Sequence, residues 1–264
     1  MPFKRRRQPR KTKAPSRKEV VKIARKVVMG TAETKQLYRE IDEATITPGT
    51  SGLEEHRFLW VERQQAGQIA PANGQNPIRE GKEILPQSFQ FRGWMRPRAL
   101  ANDGQADDSK AQQFDSALYV RVMFLKVSTQ RLDDRSPSPS GVRPSNDNFF
   151  LGNNGLPTGL STDYSDIFKP LNWKVTGKPL MDKVIFIPNQ YTMNNTKLLK
   201  FNYKFPAGSK LNFTENGNVS LGTTDVPDEQ IQLCVIARYA NDDIHVQYEN
   251  LELSGTGIFK FKDF

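Results

Sequence analysis

Twelve of the chain's 38 Lys and Arg residues fall within its first 28 positions, against a single acid there, Glu19. They are Lys4, Arg5, Arg6, Arg7, Arg10, Lys11, Lys13, Arg17, Lys18, Lys22, Arg25 and Lys26. Twelve minus one gives this segment a net charge of +11, whereas the other 236 residues, with 26 basic and 28 acidic side chains, carry −2. A run so dense in like charge repels itself and has little apolar surface to bury, so it stays extended until a polyanion neutralises it. The chain therefore divides into a basic nucleic-acid-binding arm over residues 1–34 and a near-neutral folded domain over 35–264.

The length left after the arm suits one all-β sandwich or barrel. Fourteen of the chain's seventeen Pro and seventeen of its eighteen Gly are spread through it, as expected for many short strands joined by turns, and fifteen Phe with seven Tyr and three Trp supply a core. No apolar run approaches the roughly 20 residues of a membrane span, and the cationic N-terminus has no apolar stretch of the secretory type. The expectation is a soluble protein made in the cytosol, without membrane insertion. One cysteine, Cys234, rules out an internal disulfide, and its setting in Ile231–Ala237 reads as a buried strand thiol. The sequons at Asn194, Asn212 and Asn218 then read as polar loop chemistry.

Ser16 and Glu19 stand three apart ahead of Val20, Ala24, Val27 and Val28, which share one helical face. That spacing predicts a capping box opening a short amphipathic helix over 17–29, whose polar side would lie along phosphates. From Lys35 onward the pattern is of strands, near 36–47, 56–62, 88–96, 117–128, 182–187, 197–205, 230–240, 244–253 and 257–262. Phe201, Tyr203 and Phe205 point one way and Lys200, Asn202 and Lys204 the other, a strand with a basic outer face. Long links cover 63–86, 97–116 and 129–180, with one helical turn around Tyr164–Lys169 ended by Pro170. No strand–helix–strand alternation occurs. The expected fold is all-β, an eight-stranded double-sheet jelly roll with long loops and a basic, partly helical N-terminal arm.

Catalytic signatures are missing from the pattern. The two histidines, His56 and His245, lie far apart in strand-like stretches, and Cys234 lacks an activating neighbour. No Gly-rich nucleotide loop or nucleophile elbow occurs. The pairs Asp107-Asp108, Asp133-Asp134 and Asp242-Asp243 read as solvated turns, with a divalent ion at a subunit contact as the sharper alternative. The expectation is a non-enzyme with no cofactor and no resident metal.

Several stretches, taken in order, resemble the capsid proteins of small circular single-stranded DNA viruses, the circovirus-like group that also encodes a replication initiator. The arm is followed by Lys35-Gln36-Leu37-Tyr38, then Phe89-Gln90-Phe91-Arg92-Gly93-Trp94, then the central strand at 118–127 and a long insertion. Asp166-Ile167-Phe168-Lys169-Pro170-Leu171-Asn172 and Met181-Asp182-Lys183-Val184-Ile185-Phe186-Ile187 follow, and the likeness ends with Val246–Leu251 and Phe259-Lys260-Phe261-Lys262-Asp263. The resemblance implies a viral jelly roll that assembles as a homo-60-mer, an icosahedral T=1 shell, around a circular single-stranded DNA genome held by the arms. It also implies a host-cell receptor and a host nuclear import receptor, with Lys4, Arg5, Arg6, Arg7, Arg10, Lys11 and Lys13 as the import signal, and residence in the virion and, during infection, the host nucleus. Sixty arms at +11 each would bring about 660 positive charges to the genome, with binding that is sequence-tolerant and salt-dependent. Phosphates are read rather than bases, so a jelly-roll coat of a small RNA or satellite virus stays open from this sequence, as does a monomeric cellular nucleic-acid-binding protein. A cupin-like enzyme in the same fold would want clustered His ligands that two separated histidines do not supply.

Overall fold

The computed structural model describes residues 16–20, 32, 34–48, 53–59, 61, 79, 81–99, 117–128, 149–152, 155–159, 164–188, 196–214, 226–240 and 249–263. The chain divides into two compact units, residues 1–33 and 34–264. In the first, Arg17–Val20 form a helical turn. The rest of the expected 17–29 helix lies outside the described residues.

The second unit is built from antiparallel strands in two main sheets. One carries β1 (Thr34–Ile46), β12 (Glu249–Lys262), β3 (Glu83–Ala99) and β8 (Lys197–Lys204), with the short β9 (Leu211–Thr214) and β10 (Val226–Pro227) continuing from β3. The other runs β2 (Glu54–Arg57), β11 (Glu229–Tyr239), β4 (Leu118–Ser128), β7 (Lys178–Ile187). Along β1, β2, β3, β4, β7, β8, β11 and β12 the chain thus switches sheet at every step except β4 to β7, and the first and last strands lie side by side, a jelly-roll-like order. Twelve strands are described where eight were expected. The separate strands read at 244–253 and 257–262 are one strand over the described 249–262, because Gly255 and Gly257 sit inside the ladder rather than turning it. Gly255 faces Gly93 across the pair, and a methyl group there would come within 2.5 Å of the Phe91 ring and 2.8 Å of Gly93 Cα, so close strand approach is what this position needs.

The main core lies between the sheets. Leu37, Phe89, Phe91, Leu253 and Phe259 from one meet Val120, Phe124, Leu233 and Val235 from the other. The Phe124 ring stacks on Phe201 at 4.1 Å between centroids, with Phe91 at 5.4 Å and Phe89 at 6.1 Å. Each such fully buried ring is worth about 1.5–3 kcal/mol of apolar transfer. β1 keeps its inward face by a bulge: Ile41 pairs with Gly255 but Ala44 with Leu253, so one extra residue enters and the two-residue period restarts. Leu37 and Ile41 point inward before it, and the buried Ile46 after it. Glu43, at φ 46°, takes the turn, and its N–H donates to Ser254 Oγ at 3.1 Å.

The 129–180 link is not bare loop where it is described. Phe150–Leu151 (β5) pairs with Pro157–Thr158 (β6), Tyr164–Ile167 form a 3-10 turn, and Trp173–Thr176 a helical turn. Phe149, Phe150, Ile167 and Leu171 pack on the second face of the β11–β4 ladder, against Met123, Leu125, Cys234 and Ile236. The middle strands of the four-stranded sheet, β4 and β11, are therefore buried on both faces, and nearly every β11 residue is enclosed.

Candidate nucleic-acid interface

Of the twelve arm cations, the structure describes Arg17 and Lys18, both exposed on the helical turn. Lys4, Arg5, Arg6, Arg7, Arg10, Lys11, Lys13, Lys22, Arg25 and Lys26 lie outside the described residues. The turn starts as its spacing requires. Ser16 N–H donates to Glu19 Oε2 at 2.7 Å, and Glu19 N–H donates to Ser16 Oγ at 3.3 Å, each residue satisfying a backbone donor that a helix start leaves open. The hydrogen bond from the Ser16 backbone, with a second from its side chain, holds the Glu19 carboxyl below its ordinary 4.5. Val20, first of the expected apolar face, is 49% exposed. The cap thus starts a helix that presents Arg17 and Lys18 to solvent.

A second concentration of cations lies on the six-stranded sheet, on the face turned away from the core. The register aligns Gln36, Lys260, Ser88 and Lys204 in one rung, Tyr38, Ile258, Gln90 and Asn202 in the next, and Glu40, Thr256, Arg92 and Lys200 in a third. Neighbouring members of a rung lie about 4.8 Å apart. Arg92, Lys200, Asn202 and Lys204 are exposed. Next along, Trp94 lies opposite Leu198 and carries the Arg96 guanidinium 4.8 Å from its ring, and Arg96 Nε donates to Glu252 at 2.6 Å. The basic side of β8 was legible in the sequence. Arg92 and Lys260 joined it only through register, because residues so far apart in the chain carry no local sign of sharing a rung.

Behind the other sheet is a buried ionic cluster that strand alternation did not disclose. Arg121 on β4 donates from Nε and Nη2 to the two Asp182 oxygens on β7, at 2.8 and 2.6 Å. Its Nη1 donates to the Lys169 carbonyl at 2.5 Å, and Phe150 lies under the guanidinium. Asp166 is fully buried, with Lys169 Nζ at 2.5 Å and Arg238 Nη2 at 3.8 Å. This cluster ties the 3-10 turn to β4, β7 and β11, so Asp166, Lys169 and Asp182 have a shared structural task. At the start of β1, Lys35 Nζ holds the buried Asp263 carboxylate at 3.0 Å, tying the chain's last residues to its first strand.

Cys234 is buried in β11, and desolvation pushes its thiol well above the ordinary value, so it resists ionisation and attack. His56 sits in β2 opposite Leu233, its Nε2 2.9 Å from Glu54. His245 and the three Asp pairs lie outside the described residues. Among the described residues no three His, Cys, Asp or Glu side chains are grouped to hold a metal ion, and no described helix is long and apolar enough to cross a membrane. No protein-family model matches the chain, and no curated protein matches it.

Proposed function

We propose that the chain is a viral coat protein whose body is an eight-stranded jelly roll and whose basic arm packages circular single-stranded DNA. The observation that carries this reading is the pairing of two opposites in one chain. A net +11 is confined to residues 1–28, and the remainder, at −2, is a two-sheet sandwich in which β1-β12-β3-β8 faces β2-β11-β4-β7. The strands β9 and β10 are additions at one end of that plan. A charge so separated from the folded body serves a polyanion rather than the fold.

Self-assembly follows from the same plan. Two sheets packed face to face, with β4 and β11 covered on both sides, give a stiff block, and long connections offer contact surface to neighbours in a closed, symmetric assembly. The proposed assembly is the sixty-subunit T=1 shell, with import of the free subunit into the host nucleus through the Lys4–Arg7 and Arg10–Lys13 clusters and a final place in the virion.

Negative-stain electron microscopy of the purified chain, with absorbance at 260 and 280 nm on the same fraction, tests the proposal. Uniform round particles with excess 260 nm absorbance are expected, and nuclease sensitivity of the extracted nucleic acid distinguishes DNA from RNA. Monomers persisting across salt and pH would overturn the coat-protein reading in favour of a monomeric nucleic-acid-binding protein.

A further inference from the structure

Outward-facing sheet surfaces ordinarily intersperse charges of both signs, because like charges directly opposite one another on adjacent strands repel. The open face of the β3–β8 ladder departs from this. Arg92 and Lys200 are direct register partners, both exposed. Four residues along, Lys204 lies opposite Ser88, whose other neighbour is Lys260. Between these rungs Gln90 faces Asn202, and beyond Arg92 Trp94 faces Leu198, which is 71% exposed. β8 contains no acid, and the one acid of β3, Glu83, is at its far end beside Lys210 at 2.5 Å.

We infer that this face is a second binding surface for single-stranded nucleic acid, with Arg92, Lys200, Lys204 and Lys260 meeting phosphates. The inference rests on the packaging function proposed above and adds a folded surface to the arm. An anion bridging Arg92 and Lys200 removes their mutual repulsion, so the bare face is poised for one. Alternate residues of β8 advance about 6.8 Å, close to one extended sugar–phosphate repeat of six bonds, so Lys200 and Lys204, two such steps or about 13.6 Å apart, suit phosphates two nucleotides apart on one strand. Gln90 and Asn202 offer amide donors between them. Leu198, with the half-buried Trp94 beside it, offers the apolar surface that an unpaired base can cover.

The test is equilibrium binding of the full chain to a labelled thirty-residue oligo-dT between 50 and 200 mM salt, compared with the variant Arg92→Gln/Lys200→Gln/Lys204→Gln. Loss of three phosphate contacts at about 0.7 each lowers the slope of log affinity against log salt by about 2, so the affinity lost across this range is about 20-fold smaller for the variant. An unchanged slope in the variant, with the wild type still salt-dependent, would overturn the inference and leave arm-based packaging standing. Absence of salt-dependent binding by the wild type would overturn the packaging reading itself. A variant that loses binding to poly-glutamate but none to oligo-dT would overturn the assignment in favour of an acidic protein partner. Removing a like-charge pair should leave the thermal midpoint at or above wild type. If the triple variant falls below it, Lys200→Gln alone, with an expected slope change of about 0.7, decides the matter.

Discussion

Removing the Arg121 guanidinium would strand partners on two elements at once, Asp182 on β7 and the Lys169 carbonyl in the turn that packs over the sheet. Breaking a buried ion pair from one side costs about 3–5 kcal/mol, and Asp182 keeps some solvent contact, so Arg121→Ala should cost about 3 kcal/mol by urea denaturation. Lysine at 121 should restore only part of this, since it cannot offer two parallel N–H donors to one carboxylate. Asp166→Asn should cost more than Asp182→Asn, because Asp166 is the fully enclosed carboxylate of the cluster and Arg238 beside it is itself buried. Equal costs for the two Asn variants would contradict the buried-cluster account. None of this was legible at Arg121 itself, where a polar residue in an apolar strand reads as a solvent-facing position. Cys234 is the opposite case: an unbroken apolar run around it is enough to place it inside.

At the scale of elements, short-range chemistry proved the most readable. The Ser16–Glu19 spacing specifies its own hydrogen bonds, because both partners lie within one helical turn. Glu19 titrates below its ordinary value in the capped state, so its contribution is complete above 4.5 and disappears as pH falls through the lowered value. Amide-exchange protection at Glu19 and Val20 should therefore hold at neutral pH and collapse in acid, and Ser16→Ala should weaken it at neutral pH by about 1 kcal/mol. Protection that survived both changes would show that the turn does not depend on its cap. Strand alternation was readable for β8, and the helical turn near Tyr164 was too. The β1 bulge was not, since an inserted residue looks locally like any other strand residue and shows itself only against β12. The extent of β12 was missed for a related reason: Gly255 and Gly257 resemble a turn until Phe91 and Gly93 are found against them.

For the whole molecule, the division of charge from fold makes a direct prediction. Deleting residues 1–28 should leave the thermal unfolding of the body unchanged and abolish the excess 260 nm absorbance, with empty shells still visible by electron microscopy. Loss of folding on that deletion would contradict a two-part chain. What the sequence by itself determined is local and compositional: where the positive charge lies, that the body is β, which strand faces are apolar, and how the first helical turn is capped. These depend on neighbours within a few residues, or on sums that need no coordinates. Tertiary structure alone decided which strands share a sheet, how the 149–176 segment covers β4 and β11, why Arg121, Asp166 and Asp182 belong together, and that Arg92 stands opposite Lys200. Each of those depends on residues brought together from distant parts of the chain, where register and packing choose the partner and no local pattern records the choice.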